Sequence, residues 1–386
     1  MNFRQRQLTG IRSIPVFILL ASILLGINTK QVIASELTIQ NVQLNQPTLT
    51  PGEEVKLSFY MNKEAKVTVH IYTPDYDLIQ TLIDNETRPA GVNTFFWNGR
   101  DNTEQMVPNE AYLFGITAVA PDGTQAVYDP TKNSGGEIAD VQIHNIRNEN
   151  GSIRVTYTLV QPSRISLRAG IHKGPLLKTL LNWQPMPAGA HEHIWDGMDE
   201  TGRIPVMEQP GGHVFIEGVT LPENTVIVQE SAENYVSYQK NLQASDQGVI
   251  NFQSTKRAIM QRIDENISAQ SLVKRSMNVP PMFTVYLGDD TTVGLAEKPV
   301  QTVSGDIELL VVVDPESMHL FNETRHEIII FIDNQRFDEE EHAHTPYKYP
   351  LDTRRISDGK HYITINQASL TGQVGSYSFM LNVKNQ

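Results

Sequence analysis

Apolar and polar residues alternate with a period of two in short, turn-bounded runs along most of the chain. Val55-Lys56-Leu57-Ser58-Phe59 and Val67-Thr68-Val69-His70-Ile71 show the pattern, and Ile153-Arg154-Val155-Thr156-Tyr157 and Ile165-Ser166-Leu167-Arg168 repeat it. Neighbouring side chains of a strand point to opposite faces, so each run predicts a strand with one face in a core and the other toward water. Residues 307–313, 327–332, 362–365 and 376–381 predict a third group of strands, separated by the turn pairs Asp333-Asn334, Asp358-Gly359 and Thr371-Gly372. One stretch departs from the pattern. Ile259, Ile263 and Ile267 recur every four residues, which predicts an amphipathic helix over 254–274 whose apolar stripe either docks on a neighbouring sandwich or serves as a candidate partner-binding face.

The first two groups of strands are copies of one unit. Pro89-Ala90-Gly91, five residues, then Trp97-Asn98-Gly99-Arg100-Asp101 recurs at an offset of 98 as Pro187-Ala188-Gly189, five residues, then Trp195-Asp196-Gly197-Met198-Asp199. Asn98-Gly99 and Asp196-Gly197 are turn dipeptides that tolerate positive φ, and each follows a tryptophan large enough to plug a core. Trp97 and Trp195 are therefore the expected structural core residues of two sandwiches. Several short strands in each copy predict an immunoglobulin-like sandwich.

With these residues in hand, both copies resemble the Ig-like domain of the flagellar hook-capping (FlgD-type) family. Copy one supplies Ile71-Tyr72, Leu82, Ala90-Gly91, Trp97 to Asp101, Val107-Pro108 and Tyr112; it departs with Asn98 in place of Asp and Glu110 in place of Gly. Copy two supplies Ala188-Gly189, Trp195 to Asp199 and Gly202, with an insertion at 206–210 and His213 where the family has tyrosine. The third group, with Ile332-Asp333, Pro346-Tyr347, Leu351-Asp352-Thr353 and Asp358-Gly359-Lys360-His361, is similar to a second bacterial Ig-like family. The resemblances imply an all-β protein of three immunoglobulin-like β-sandwiches in tandem with a helical insert before the third. The expected domains are 36–134, 138–222 and 281–386, with 223–280 a linker carrying the helix. Such modules serve as spacers and scaffolds, so the likeness speaks to fold rather than activity.

The N-terminal segment adds a location. Arg4, Arg6 and Arg12 precede an apolar run from Ile14 to Ile27, then Val32-Ile33-Ala34, which reads as a signal peptide over 1–34 cleaved before Ser35. The apolar run is too short to span a bilayer, so no membrane insertion is expected after cleavage. Losing four basic residues lowers the net charge from −13 to −17. So acidic a surface disfavours nucleic acid and anionic lipid. Without cysteine, disulfides and thiolate metal sites are excluded within the chain.

Candidate chemistry is sparse. No nucleophile elbow, zinc helix, Walker loop or dinucleotide fingerprint occurs. Asp338-Glu339-Glu340-Glu341-His342-Ala343-His344, read as a loop, offers Glu340, His342 and His344 as ligands for weak divalent-cation binding at most; no other cofactor is expected. His191-Glu192-His193 would place two imidazoles on one strand face. Asp101 and Asp199 are expected to accept from backbone amides in their turns, and His361 to be structural. Trp183, Tyr235 and Tyr238 are the aromatic residues outside the expected cores. The resulting expectation is a non-catalytic scaffold or accessory subunit within an envelope or extracellular protein complex. Surface adhesion with a glycan ligand is the alternative, and a metal-binding accessory role the third.

Overall fold

The computed structural model describes residues 36–74, 78–233, 238, 280–323, 325–370 and 372–386. The expected signal peptide, Tyr235, and the expected helix with Ile259, Ile263 and Ile267 lie outside the described residues.

The first repeat forms β1 (Ile39–Leu44), β2 (Thr48–Leu49), β3 (Val55–Met61), β4 (Ala65–Tyr72), β5 (Leu78–Arg88), β6 (Gly91–Trp97), β7 (Ala111–Val119) and β8 (Gln125–Tyr128). The second forms β9 (Val141–Glu149), β10 (Ser152–Leu159), β11 (Ser163–Ile171), β12 (Leu176–Met186), β13 (Gly189–Trp195) and β14 (Gly212–Thr220), and is followed by β15 (Val226–Val228). The C-terminal group comprises β16 (Phe283–Leu287), β17 (Gln301–Val303), β18 (Asp306–Val313), a six-residue helix α1 (Met318–Glu323), β19 (His326–Ile332), β20 (Gln335–Glu340), β21 (Tyr347–Asp352), β22 (Gly359–Ser369) and β23 (Val374–Val383).

Each group builds two facing sheets. In the first, β1-β3-β6 opposes a sheet in which β7-β4-β5 are hydrogen-bonded neighbours. Val55, Leu57, Phe59 and Met61 of β3 and Val67, Val69 and Ile71 of β4 alternate into the core between them. Trp97 closes this core at 1% exposure, its indole Nε1 donating to Arg100 O at 2.9 Å. Trp195 occupies the matching place in the second sandwich at 6% exposure and donates to Met198 O at 2.8 Å. The second sandwich pairs β13-β10-β9 with β12-β11-β14, and the third pairs β16-β18-β21 with β17-β23-β22-β19-β20. The architecture is all-β, organised as tandem β-sandwiches.

The expected linker begins later than its composition suggests. Val226–Val228, placed by sequence in the linker, is buried and adds to the first sandwich, antiparallel to β7 and parallel to β2. The reason is an unfilled edge. In the second sandwich the entering chain covers β14, with Ile138 bridging Val219 and Ala139 N donating to Gly218 O at 2.9 Å. On β7 the corresponding stretch, Ile116 to Val119, is paired with β8, and the start of the strand, Ala111-Tyr112, takes its backbone partners from chain returning from beyond the second sandwich. Tyr238 follows it in and is fully buried in the first core, so it is no exposed aromatic.

Candidate functional site

All nine residues of β11 are buried, on both faces of the strand. Ile165, Leu167 and Ala169 point into the second sandwich's own core. Arg164, Ser166 and Arg168 occupy the opposite face, which in an isolated sandwich would meet water; here the other two sandwiches cover it. Arg164 Nη2 lies 2.6 Å from Glu110 Oε1 of the first sandwich, the side chains being 2% and 1% exposed. Arg168 Nη2 donates to Gly372 O of the third. Taking such charges out of water costs several kcal/mol unless a partner is in contact, so the Arg164–Glu110 pair is a demanding contact between sandwiches. Burial lowers the pKa of Arg168, and the nearby Glu217 carboxylate works against that shift.

The third sandwich grips the edge of β12. Leu176 N donates to Asn366 Oδ1 and Asn366 Nδ2 donates to Leu176 O, both at 2.8 Å, so one carboxamide takes the place of a neighbouring strand. Ser376 Oγ adds a 2.8 Å bond to Leu176 O, and Arg203 donates across the same junction to Ala296 O.

Between these contacts lies a cleft of about 350 Å³ lined by Asn109 of the first sandwich, Leu180, Asn182, Gln184 and Pro185 of β12, and Pro280. Asn182 is 8% exposed, and neither its Oδ1 nor its Nδ2 has a hydrogen-bond partner. Ser166 Oγ and Trp183 Nε1 are buried without partners as well. Ser166 falls between the pairs Ile165–Gln184 and Leu167–Leu181, opposite a bulge that contains Asn182 and Trp183. The first repeat satisfies the equivalent positions: Thr68 Oγ1 donates to Asp84 Oδ1 at 3.3 Å, and Asn85 N donates to Thr68 Oγ1 at 3.0 Å. Trp183 (φ 52°) repeats the backbone of Asn85 (φ 53°), so the bulge persists in the second copy while its polar bonds do not.

The sequence-derived candidates are dispersed. Asp338 to Glu340 belong to strand β20 rather than to a loop, because Phe337 alternates inward to pack on the third core and stacks under Arg355 at 4.4 Å. Their polar atoms are engaged singly: Asp338 Oδ2 accepts from Tyr349 Oη at 2.8 Å, Glu339 pairs with Arg336, and Glu340 Oε1 accepts from His342 N at 2.9 Å. His342 and His344 are exposed, His344 lying edge-on to Tyr347 at 5.1 Å. His191 stacks on Tyr157 at 5.3 Å with Nε2 2.7 Å from Pro187 O, and burial lowers the pKa of His193. Among the described residues no group of three or more His, Asp or Glu is arranged to hold a metal ion. Asp101 Oδ1 accepts from Thr103 N and Gln105 N, and Asp199 Oδ1 from Arg203 N and Ile204 N, all within 3.0 Å. His361 is held between Asp333 Oδ2 at 2.6 Å and Ser357 O at 2.8 Å. Sequence reading overlooked Glu110, Arg164 and Asn182. One signal was available for Glu110, since it stands where the resembled family has glycine.

These contacts define a tandem β-sandwich protein whose modules meet on one shared strand. No family model matches the chain. Over 85 residues it is 39% identical to the basal-body rod modification protein FlgD of Salmonella typhimurium, and equally to that of Salmonella typhi, a match covering 20% of this chain and 36% of the relative. The chain thus spans about a third of the length of the curated relatives it matches. Among solved structures, the fibronectin(III)-like modules of Clostridium thermocellum CbhA align with 89% of this chain and 95% of theirs, at 10% identity and a TM-score of 0.19. A 1.5-MDa bacterial ice-binding adhesin aligns with 91% of this chain and 99% of its own, at 10% identity and a TM-score of 0.18. A FlgD-like Ig module is part of this chain.

Proposed function

We propose that the protein is a non-catalytic, extracytoplasmic scaffold or accessory subunit that mediates protein–protein assembly in the bacterial cell envelope. The observation that carries this reading is the double-sided burial of β11, with Arg164 held by the first sandwich and Arg168 by the third. Tandem modules joined only by linkers reorient freely, whereas modules bonded across a shared strand present their outer surfaces at set angles. A fixed set of surfaces suits a part that holds other proteins in register. The basic-then-apolar segment ending at Ala34 supports a place outside the cytoplasm. In vivo crosslinking followed by affinity purification from the native envelope tests the proposal. A partner recovered in stoichiometric amount is expected; a protein recovered alone, or with bound glycan only, overturns it.

A further inference from the structure

The geometry points to the cleft beside Asn182 as a docking site for an extended peptide segment of a partner protein, read through its main chain. This rests on the assembly role proposed above and names the kind of partner segment the junction takes.

Asn182 carries the argument. A carboxamide buried with both its donor and its acceptor unsatisfied is a rare and expensive arrangement, and such groups call for an explanation. The first repeat meets the same positions with the Thr68–Asp84 bond, so the bulge itself does not demand the vacant valences. What a carboxamide does at this junction is already visible at Asn366, which takes both the N–H and the C=O of Leu176. Asn182 carries the same complementary pair beside the cleft wall and, with both polar atoms buried in the empty site, would turn outward to engage one residue of an incoming strand in the same way.

The surroundings favour peptide over other ligands. Leu180, Asn182, Gln184 and Pro185 come from a single strand, so the cleft runs along β12, which is the edge of its sheet. An extended segment lying along such an edge finds backbone partners, as in β-strand addition. Leu180, Pro185 and Pro280 supply apolar walls for its side chains. Among the described lining residues none is aromatic, so no stacking platform for a sugar ring is present, and none is basic, so nothing recognises an anion. Glu230 on the adjoining rim, in an acidic chain, favours basic side chains in the bound segment.

The test uses the full chain and, as probe, a displayed library of random unstructured peptides, with Asn182→Leu and Gln184→Ala as variants. Peptides enriched on the wild type should bind Asn182→Leu at least about tenfold more weakly and the exposed-rim variant Gln184→Ala severalfold more weakly. Asn182→Leu should melt no lower than the wild type, because removing an unsatisfied buried amide relieves its desolvation penalty. Enriched peptides that ignore both substitutions, or a drop in melting temperature that shows Asn182 supporting the fold, would overturn the assignment. So would binding from an oligosaccharide panel that depends on Asn182 where no peptide binds. A native partner crosslinked equally by wild type and Asn182→Leu would leave the assembly role standing and remove the cleft from it.

Discussion

Tyr238 Oη donates a 2.8 Å hydrogen bond to Asp101 Oδ2 across 137 residues of chain. Asp101 Oδ1 already organises the turn after Trp97 by accepting from Thr103 N and Gln105 N, so the tyrosine occupies the carboxylate's second oxygen from inside the first core. Burial raises the phenol's pKa, and the Asp101 charge raises it further, so the hydroxyl remains a donor at any physiological pH. In the second sandwich Thr201 Oγ1 fills that role locally, at 2.8 Å from Asp199 Oδ2. Tyr238→Phe should therefore destabilise the first sandwich by about 1.5–3 kcal/mol, the worth of a hydrogen bond to a charged acceptor, while leaving the second unchanged. Chemical denaturation followed by fluorescence of Trp97, with Trp183 and Trp195 both replaced by Phe, reads the first sandwich alone.

The Arg164–Glu110 contact gives a different pattern. Arg164→Ala or Glu110→Ala removes one member of a buried ion pair and should cost about 3–5 kcal/mol, whereas the double variant Arg164→Met/Glu110→Leu should recover most of that loss. Small-angle scattering should show single-site variants with a larger radius of gyration, because the first and second sandwiches separate there. Equal destabilisation by single and double variants would show that the charges themselves stabilise the interface.

Trp97 and Trp195 are expected to behave alike. Replacement of either by Ala should destabilise its own sandwich by about 3–5 kcal/mol through cavity formation. Trp97 is further enclosed edge-on by Tyr112 at 5.2 Å and Phe114 at 6.1 Å. An unchanged melting curve for either substitution would remove that residue from the core.

His326 makes the third sandwich sensitive to acid. Its Nε2 lies 3.2 Å from Leu320 O, which places the ring proton there, and Nδ1 is buried without a partner. Burial holds its pKa below the ordinary 6.5, with the Leu320 carbonyl opposing. The unfolded chain therefore binds the proton first. The contribution is fully present above pH 6.5 and is lost as the pH falls from there toward the lowered folded value. His193, also lowered by burial, acts in the same direction in the second sandwich. His326→Phe, which keeps a ring to stack on Phe321, should flatten the fall in melting temperature between neutral pH and about pH 5.

Residues 338–344 should bind divalent ions weakly. Asp338, Glu339 and Glu340 are each engaged by a different donor, and His342 and His344 project from an exposed turn. Calorimetric titration of metal-free protein with Zn²⁺ or Ca²⁺ should give shallow isotherms unaffected by a His342→Ala/His344→Ala change. Submicromolar binding abolished by that double change would establish a metal site.

Much of the local architecture follows from sequence alone. Period-two alternation locates the strands, because a side chain's face depends only on its parity along the strand. The repeated Trp-Asx-Gly turns locate two equivalent cores, because the indole, the φ-positive glycine and the capping aspartate act within a few residues of one another. The same parity marks Arg164, Ser166 and Arg168 as facing water, and there local reasoning fails: the face is right, but what lies beyond it is another sandwich. Whether the start of β7 takes its edge partner from Val226–Val228, whether Tyr238 is a surface ring or a core plug, and whether Glu110 replaces a glycine for a reason all depend on contacts between distant parts of the chain. Only the tertiary structure decides them, because the fit of one folded module against another leaves no periodic trace in the sequence of either.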